Sequence, residues 1–252
     1  GEDVNAPSKK IMVERKRLTA SDKWSNILIE NATNFSNNDD CRLGNFFTVK
    51  RGIATGDNDF FVVNMDTIEK YHIPKKFLKP VLPSPRFLKE NIILSDNEGN
   101  ITLEQKQFLF SCGLPEDILK EKYPSVWEYI QEGIKRGTNK GYICSHRPLW
   151  YFCEDRKPAP FVIPYMGRGD SSKKMFRFIL NKTKAITTNV YLLLYPKENY
   201  SKCLTDTNLL NEVWQTLNEV TSEQFAINGR EYGGGLHKLE PKELLNIKVP
   251  TL

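Results

Sequence analysis

The longest uninterrupted apolar run in this chain is Val190-Tyr191-Leu192-Leu193-Leu194-Tyr195. That is the length of a buried strand, far short of the roughly 18 residues a helix needs to cross a bilayer. A core must therefore be assembled from short elements, and 252 residues hold one large domain or two small ones. Hydrophobic residues at 39% against 27% charged are the balance of an ordinary soluble globular protein. No charged, then apolar, then small-residue leader opens the sequence, so nothing argues for secretion. The cysteines, Cys41, Cys112, Cys144, Cys153 and Cys203, are odd in number, widely spaced and without a C-x-x-C pair. They are expected as reduced thiols of a cytoplasmic protein, not as a disulfide framework. Cys144 and His146 stand close, but two further ligands at zinc spacing are missing.

Proline and glycine divide the rest. Residues 1–23 are expected to be a tail or linker, and residues 24–252 the folded domain, with an Asn-rich loop over 31–40. Phe46-Phe47-Thr48-Val49 and Asp59-Phe60-Phe61-Val62-Val63 read as strands around a tight connection at Arg51 to Asn58. Asp66 caps a short helix towards Tyr71. Three prolines exclude regular structure from Lys79 to Pro85. Asn91 to Leu94 and Gln107 to Ser111 read as strands, with a turn at 96–100. Helices follow from Pro115 and Pro124. The second sets Val126, Trp127, Ile130 and Ile134 on one face and ends at Gly137. Phe161 to Ile163, Met175 to Leu180 and Ile186 to Tyr195 read as strands. A helix over Thr207 to Val220 carries a stripe of Leu210, Val213, Trp214, Leu217 and Val220. Asn228 to Leu236 reads as a Gly-rich loop, followed by one helical turn from Pro241 and a strand over Asn246 to Val249. Strands and helices do not alternate regularly. The expected fold is α+β, a twisted mixed or antiparallel sheet flanked by helices with long loops.

The net charge of +5 is unevenly spread. Lys135 to Ala185 holds twelve Lys and Arg against Glu154, Asp155 and Asp170, while the segments on either side are each slightly acidic. A solvated charged face explains many such runs. Here, however, Tyr142, Trp150, Tyr151, Phe152, Phe161 and Tyr165 are interleaved with the cations, which fits a polyanion footprint.

Catalytic motifs are missing. There is no G-x-x-x-x-G-K-[ST] phosphate loop, no G-x-S-x-G elbow and no H-E-x-x-H. Gly167-Arg168-Gly169 lacks the third glycine of a dinucleotide loop and reads as a turn. Asp155-Arg156-Lys157 has the D-x-K spacing of some metal-dependent nucleases, a triplet that also arises by chance. A binding module is the better expectation, with no cofactor or metal in this chain.

Two segments resemble a known family. Arg51-Gly52-Ile53-Ala54-Thr55-Gly56-Asp57-Asn58-Asp59-Phe60-Phe61 is similar to the opening motif, roughly G-[IV]-x-T-G-x-N-x-x-F, of the specificity domains of adenine-N6 DNA methyltransferases. Asn228 to Pro241, with Lys242-Glu243-Leu244 and Val249-Pro250 beyond, resembles their closing Gly-rich loop and K-L-x-P-x-E-L-like turn. Arg147-Pro148-Leu149-Trp150-Tyr151 and Thr188-Asn189 match positions between them, and the order is kept from Trp24 to Pro250. These are the target-recognition domains of restriction–modification enzymes of the Eco57I and TaqI kind. The resemblance implies a parent whose N-terminal methyltransferase domain binds S-adenosylmethionine and carries an Asn-Pro-Pro-Tyr/Phe motif. No Asn-Pro-Pro occurs here, so this chain is expected to be the DNA-reading half, with duplex DNA and that N-terminal domain as partners and no membrane.

Such a half must hold a duplex while a base is rotated out of it. Arg51, Arg147, Arg168 and Arg230 can pair with guanine edges, and Asn58 and Asn189 with adenine. Lys173, Lys174, Lys182 and Lys184 can supply salt-sensitive affinity, and the backbone at Gly233 to Gly235 can approach a phosphate. Thr55, Trp150, Tyr151, Tyr232, Gly234, His237 and Lys238 complete the expected DNA-binding set. Each has a structural alternative: Gly52 and Gly56 as turn formers, Asn58 and Asn189 as caps, Trp150 and Tyr151 as core. The rival functions are a stand-alone specificity subunit, disfavoured because no long helical spacer is visible, and a nuclease using Asp155 and Lys157.

Overall fold

A computed structural model describes residues 41–104, 106–169 and 174–249. The expected tail and the Asn-rich loop lie outside the described residues. The architecture is α+β and is built on a five-stranded sheet in the order β1 (Phe47–Arg51), β9 (Tyr191–Pro196), β6 (Phe161–Pro164), β8 (Ile179–Asn181), β4 (Ile92–Ile93). Neighbours are antiparallel except β4 and β8, which are parallel.

The period-2 geometry of strands explains why the sequence is so apolar here. Phe161 and Ile163 of β6, with Leu192 and Leu194 of β9, enter one core; Val162, Tyr191 and Leu193 enter another on the opposite face. Both faces are covered, so the strands read as continuous hydrophobic runs. Helices α7 (Thr207–Leu217), α8 (Ser222–Asn228) and α9 (Pro241–Leu245) pack Leu217, Phe225 and Leu244 into the first core. The second core is closed by Leu82, Leu88, Ile93 and Ile101 from the long segment after β3 (Leu78–Val81). The Tyr191 hydroxyl donates to the Pro83 carbonyl at 2.6 Å, satisfying the one polar atom that strand carries inside.

A second lobe contains a three-stranded antiparallel sheet, β2 (Val62–Val63), β5 (Gln107–Phe110) and β3. It packs against α4 (Glu116–Lys122) and α5 (Pro124–Lys135) through Phe60, Phe61, Phe110, Leu119, Val126, Tyr129 and Ile130. A third sheet joins the hairpin β10 (Arg230–Tyr232) and β11 (Leu236–Lys238) to β7 (Met166–Arg168). Among the described residues no helix is long and apolar enough to cross a membrane.

Several expected elements differ. Asp59 to Phe61 is not strand: Asn58–Phe61 forms a helical turn, α2, with β2 following. The Asp57 carboxylate accepts from the Asp59 and Phe60 amides at 3.1 and 3.3 Å, and this cap outweighs the β preference of the phenylalanines. The short helix α3 (Met65–Lys70) is capped by Asn64 instead of Asp66. Pro80 lies inside a strand. It is tolerated because its carbonyl faces Ile186, accepting that amide at 2.9 Å, so its missing N–H points away from β5. Gly167-Arg168 is strand, and Asn228 to Leu236 contains the end of α8 and a hairpin. The strands expected over Met175 to Leu180 and Ile186 to Tyr195 shrink to β8 and β9. Asn246 to Val249 makes only the isolated pair Arg42–Lys248.

Candidate nucleic-acid interface

The open end of the large sheet meets the small three-stranded sheet at a concavity of about 740 Å³. Arg51, Arg86, Arg168, Lys174 and Arg177 line it, together with Asn189, Tyr165 and apolar residues, and among the described residues no carboxylate lines it. None of these five cations is ion-paired among the described residues. Low-dielectric walls with charge of one sign focus potential, so this cleft is suited to attract an anion.

Secondary structure sets each position. Arg51 ends β1, where its Nε donates to the Asn189 carbonyl at 3.1 Å and its guanidinium lies 3.9 Å from the centre of the Tyr165 ring. Tyr165 is buried, and its hydroxyl donates to Glu240 at 2.7 Å. Lys238 reaches the same carboxylate at 2.9 Å and the same ring at 5.1 Å. The Tyr165 hydroxyl and then Lys238 hold the Glu240 carboxyl below its ordinary value, and the Lys238 ammonium is held correspondingly high. This cluster joins β1, β11 and α9 at the wall of the cleft. Arg168 projects from β7 opposite Leu236. Lys174 donates to the Asn218 carbonyl at the end of α7. The hairpin turn beyond uses Gly234 and Gly235 at φ 75° and 68°, a backbone that side chains resist. A side chain at Gly234 would come within 4.0 Å of the Arg168 guanidinium.

The loop from Gly52 to Asn58 is tied to the second lobe. Arg147 donates to the Ala54 carbonyl at 2.6 Å, the Thr138 hydroxyl to Asp57 at 2.6 Å, and the Thr55 hydroxyl to Asn58 Oδ1 at 2.6 Å. A Cβ at Gly52 would stand 2.1 Å from the Thr188 carbonyl oxygen, so glycine here is a condition of close strand approach. Thr55 is buried, while Asn58 is exposed and lines a smaller hollow of about 360 Å³. That hollow adjoins the cleft through Ser84 and Val190.

The structure thus gathers Arg51, Arg168, Lys174 and Asn189 at one cleft, with Gly234 at its rim and Asn58 next door. It places others elsewhere. Arg147 turns inward under the loop, 5.3 Å from the Phe61 ring. Trp150 packs on Phe60 and Phe61, and Tyr151 is fully buried, its hydroxyl donating to Leu114 and pushed up by burial to about 12. Arg230 pairs with Glu243 at 2.8 Å. Tyr232 is exposed on the hairpin, while His237 is only 8% exposed in its middle strand, with Nδ1 lacking a partner. Lys182 and Lys184 sit beside β4 and the 96–100 turn, their amides donating to Ile93 and Gly99. Lys173 lies outside the described residues. Arg86, Tyr165 and Arg177 fall outside the expected DNA-binding set. Arg86 falls in a proline-rich stretch outside the basic middle, and nothing in the sequence links that stretch to Arg168.

Asp155 is engaged by Lys79 at 2.5 Å, not by Lys157, and that contact lowers its carboxyl. Among the described residues no group of three or more His, Cys, Asp or Glu side chains could hold a metal. Burial raises the Cys144, Cys153 and Cys203 thiols, Cys153 to about 11, which makes them poor nucleophiles.

A sequence profile described as Type II methyltransferase M.Eco57I, C-terminal domain, matches residues 21–252. Type II methyltransferase M.AccI of Acinetobacter calcoaceticus is 29% identical over 198 residues, which cover 78% of this chain and 34% of that protein. Type II methyltransferase M.XamI of Xanthomonas campestris pv. amaranthicola is 25% identical over 250 residues, covering 99% of this chain and 43% of that protein. The chain therefore spans less than half the length of these curated relatives. With the matched region taking in the cleft, the hairpin and the 52–58 loop together, this chain belongs to the family of Type II methyltransferase M.Eco57I C-terminal domains.

Proposed function

We propose that this chain is the target-recognition half of an adenine-N6-specific DNA methyltransferase of a restriction–modification system. In this reading residues 24–252 grip and read duplex DNA, and residues 1–23 lead from an N-terminal methyltransferase domain of the same parent. The observation that carries it is the cleft where Arg51, Arg86, Arg168, Lys174 and Arg177 converge from distant parts of the chain, with no carboxylate lining it among the described residues. Phosphates supply register and salt-dependent affinity there, while Arg168 and Asn189 are candidates for base edges. Arg147 then acts beneath the surface, holding the loop that presents Asn58 through the Ala54 carbonyl, while Trp150 packs on Phe60 and Phe61 behind it and Tyr151 on Trp150.

S-adenosylmethionine belongs to the other half. Its ammonium and sulfonium groups are cationic, and among the described residues the cleft offers five cations and no carboxylate to receive them. Those residues do not fit the cofactor, and no chemical step is assigned to this chain. A nuclease reading gains no support from Asp155, which Lys79 already holds.

Fluorescence anisotropy with random-sequence duplexes across a salt series tests the proposal. The expected result is weak binding whose log K falls with log[salt], the slope dropping by about 1 for Lys174→Gln and again for Arg168→Gln. Binding that ignores salt and both substitutions would remove the cleft from consideration.

A further inference from the structure

One apolar side chain stands in solvent on a rigid mount beside the cleft. Phe87 is 69% exposed, more than any other phenylalanine among the described residues. Its turn is well held: the Phe87 and Leu88 amides donate to the Ser84 carbonyl at 2.9 and 3.1 Å, and Leu88 is buried in the core behind it. Arg177 donates to the Lys89 and Glu90 carbonyls at 3.1 and 2.8 Å, and also to the Leu88 carbonyl and the Asn91 side chain. The backbone presenting the ring is therefore ordered before any partner arrives, which removes part of the entropy cost of an encounter.

Its neighbours define the partner. Arg86, adjacent in sequence, lines the cationic cleft; Phe87 lines the hollow next to it, and Ser84 lines both. The carboxylates near the ring, Asp59 in that hollow and Glu90 and Glu104 in the hollow behind, lie off the cleft side. The ring lines these two hollows and not the cleft itself, so a polyanion seated on Arg86 reaches it from the cleft side, across the shared Ser84. Proteins that distort duplexes use an apolar wedge of this kind, pushed between base steps next to phosphate-holding cations.

We propose that Phe87 is a wedge that enters the base stack of bound duplex DNA, with Arg86 holding the phosphate alongside. The proposal rests on the duplex-binding reading above and adds a residue that distorts DNA, not one that merely attracts it. A ring lodged between base pairs unwinds the duplex, whereas phosphate contacts alone do not require it.

The test uses this chain, closed circular plasmid and a topoisomerase, with anisotropy on a short labelled duplex in parallel. Wild type is expected to shift the topoisomer distribution towards unwinding. Phe87→Ala is expected to lose that shift and at least about five-fold in affinity, in line with the loss of one stacked base, while keeping the wild-type salt slope. Phe87→Trp, which restores a flat ring at an exposed site, is expected to unwind again. Unwinding by Phe87→Ala equal to wild type would overturn the wedge, as would wild-type binding without unwinding. Absence of duplex binding by wild type would instead overturn the recognition reading beneath it.

Discussion

Glycine at position 52 has no side chain to pack and makes only a backbone bond, its amide donating to the Tyr191 carbonyl at 3.0 Å, yet it is among the least replaceable of the described residues. The β1 strand leaves the large sheet there and passes the Thr188 backbone so closely that a Cβ would overlap its carbonyl oxygen at 2.1 Å. The neighbour is backbone and cannot rotate aside. Gly52→Ala is expected to cost roughly 1–3 kcal/mol or more in chemical denaturation. Gly233→Ala, in open space and without a positive φ, should fall within about 0.5 kcal/mol of wild type. Equal stabilities for the two variants would show that the strand approach is looser than described. The same residue-level view separates the arginines: Arg51 is stacked but solvent-facing, while Arg147 is consumed by the Ala54 carbonyl.

Among the elements, the hairpin β10–β11 is the one whose placement depends most on a few polar groups. It is held to the body by Tyr165, Lys238 and Glu240, the last at the start of α9. The Glu240 carboxyl has a folded pKa below its ordinary 4.5, because the Tyr165 hydroxyl and Lys238 favour its charged form. A depressed folded value means the contribution is complete above the unfolded pKa and is lost as pH falls through the folded one. Lys238 is raised above 10.5, so its share is complete below that value and is lost only as pH rises through the folded pKa. Both are therefore whole at neutral pH. Hydrogen exchange of the Arg230–Lys238 amides should speed up as pH drops below about 4.5, after correction for intrinsic rates. Glu240→Gln should flatten that dependence. A wild-type profile matching the variant would deny the cluster its role. The other elements show how local chemistry overrides pattern: the Asp57 cap converts part of an apparent strand into α2, and β7 exists only because β11 pairs with it.

For the whole molecule, position of charge matters more than its count. The basic middle of the sequence does not map onto one face. Arg168, Lys174 and Arg177 reach the cleft, Lys182 and Lys184 lie beside β4, and Arg51 and Arg86 arrive from an acidic part of the chain. Exposed charges beyond a Debye length, about 10 Å at 0.1 M salt, contribute little. Lys182→Gln with Lys184→Gln should therefore leave the salt slope of duplex binding unchanged, although it removes as much charge as Arg168→Gln with Lys174→Gln. A comparable loss from both pairs would argue for a diffuse field over a defined cleft.

The sequence by itself determined the α+β class, the central apolar strands, both proline-opened helices and the family, because these depend on periodicity, capping and local motifs. Thr55 and Asn58 were visible in their motif, and Arg168 and Lys174 in their charge run. Tertiary structure alone decided which of the cations share a surface, that Tyr151 is buried and Trp150 packed against the core, that Pro80 can sit in a strand, and that Arg86 shares a cleft with Arg168. Those outcomes depend on the pairing of segments far apart in the chain, and contacts between distant segments leave no periodic trace in the order of residues.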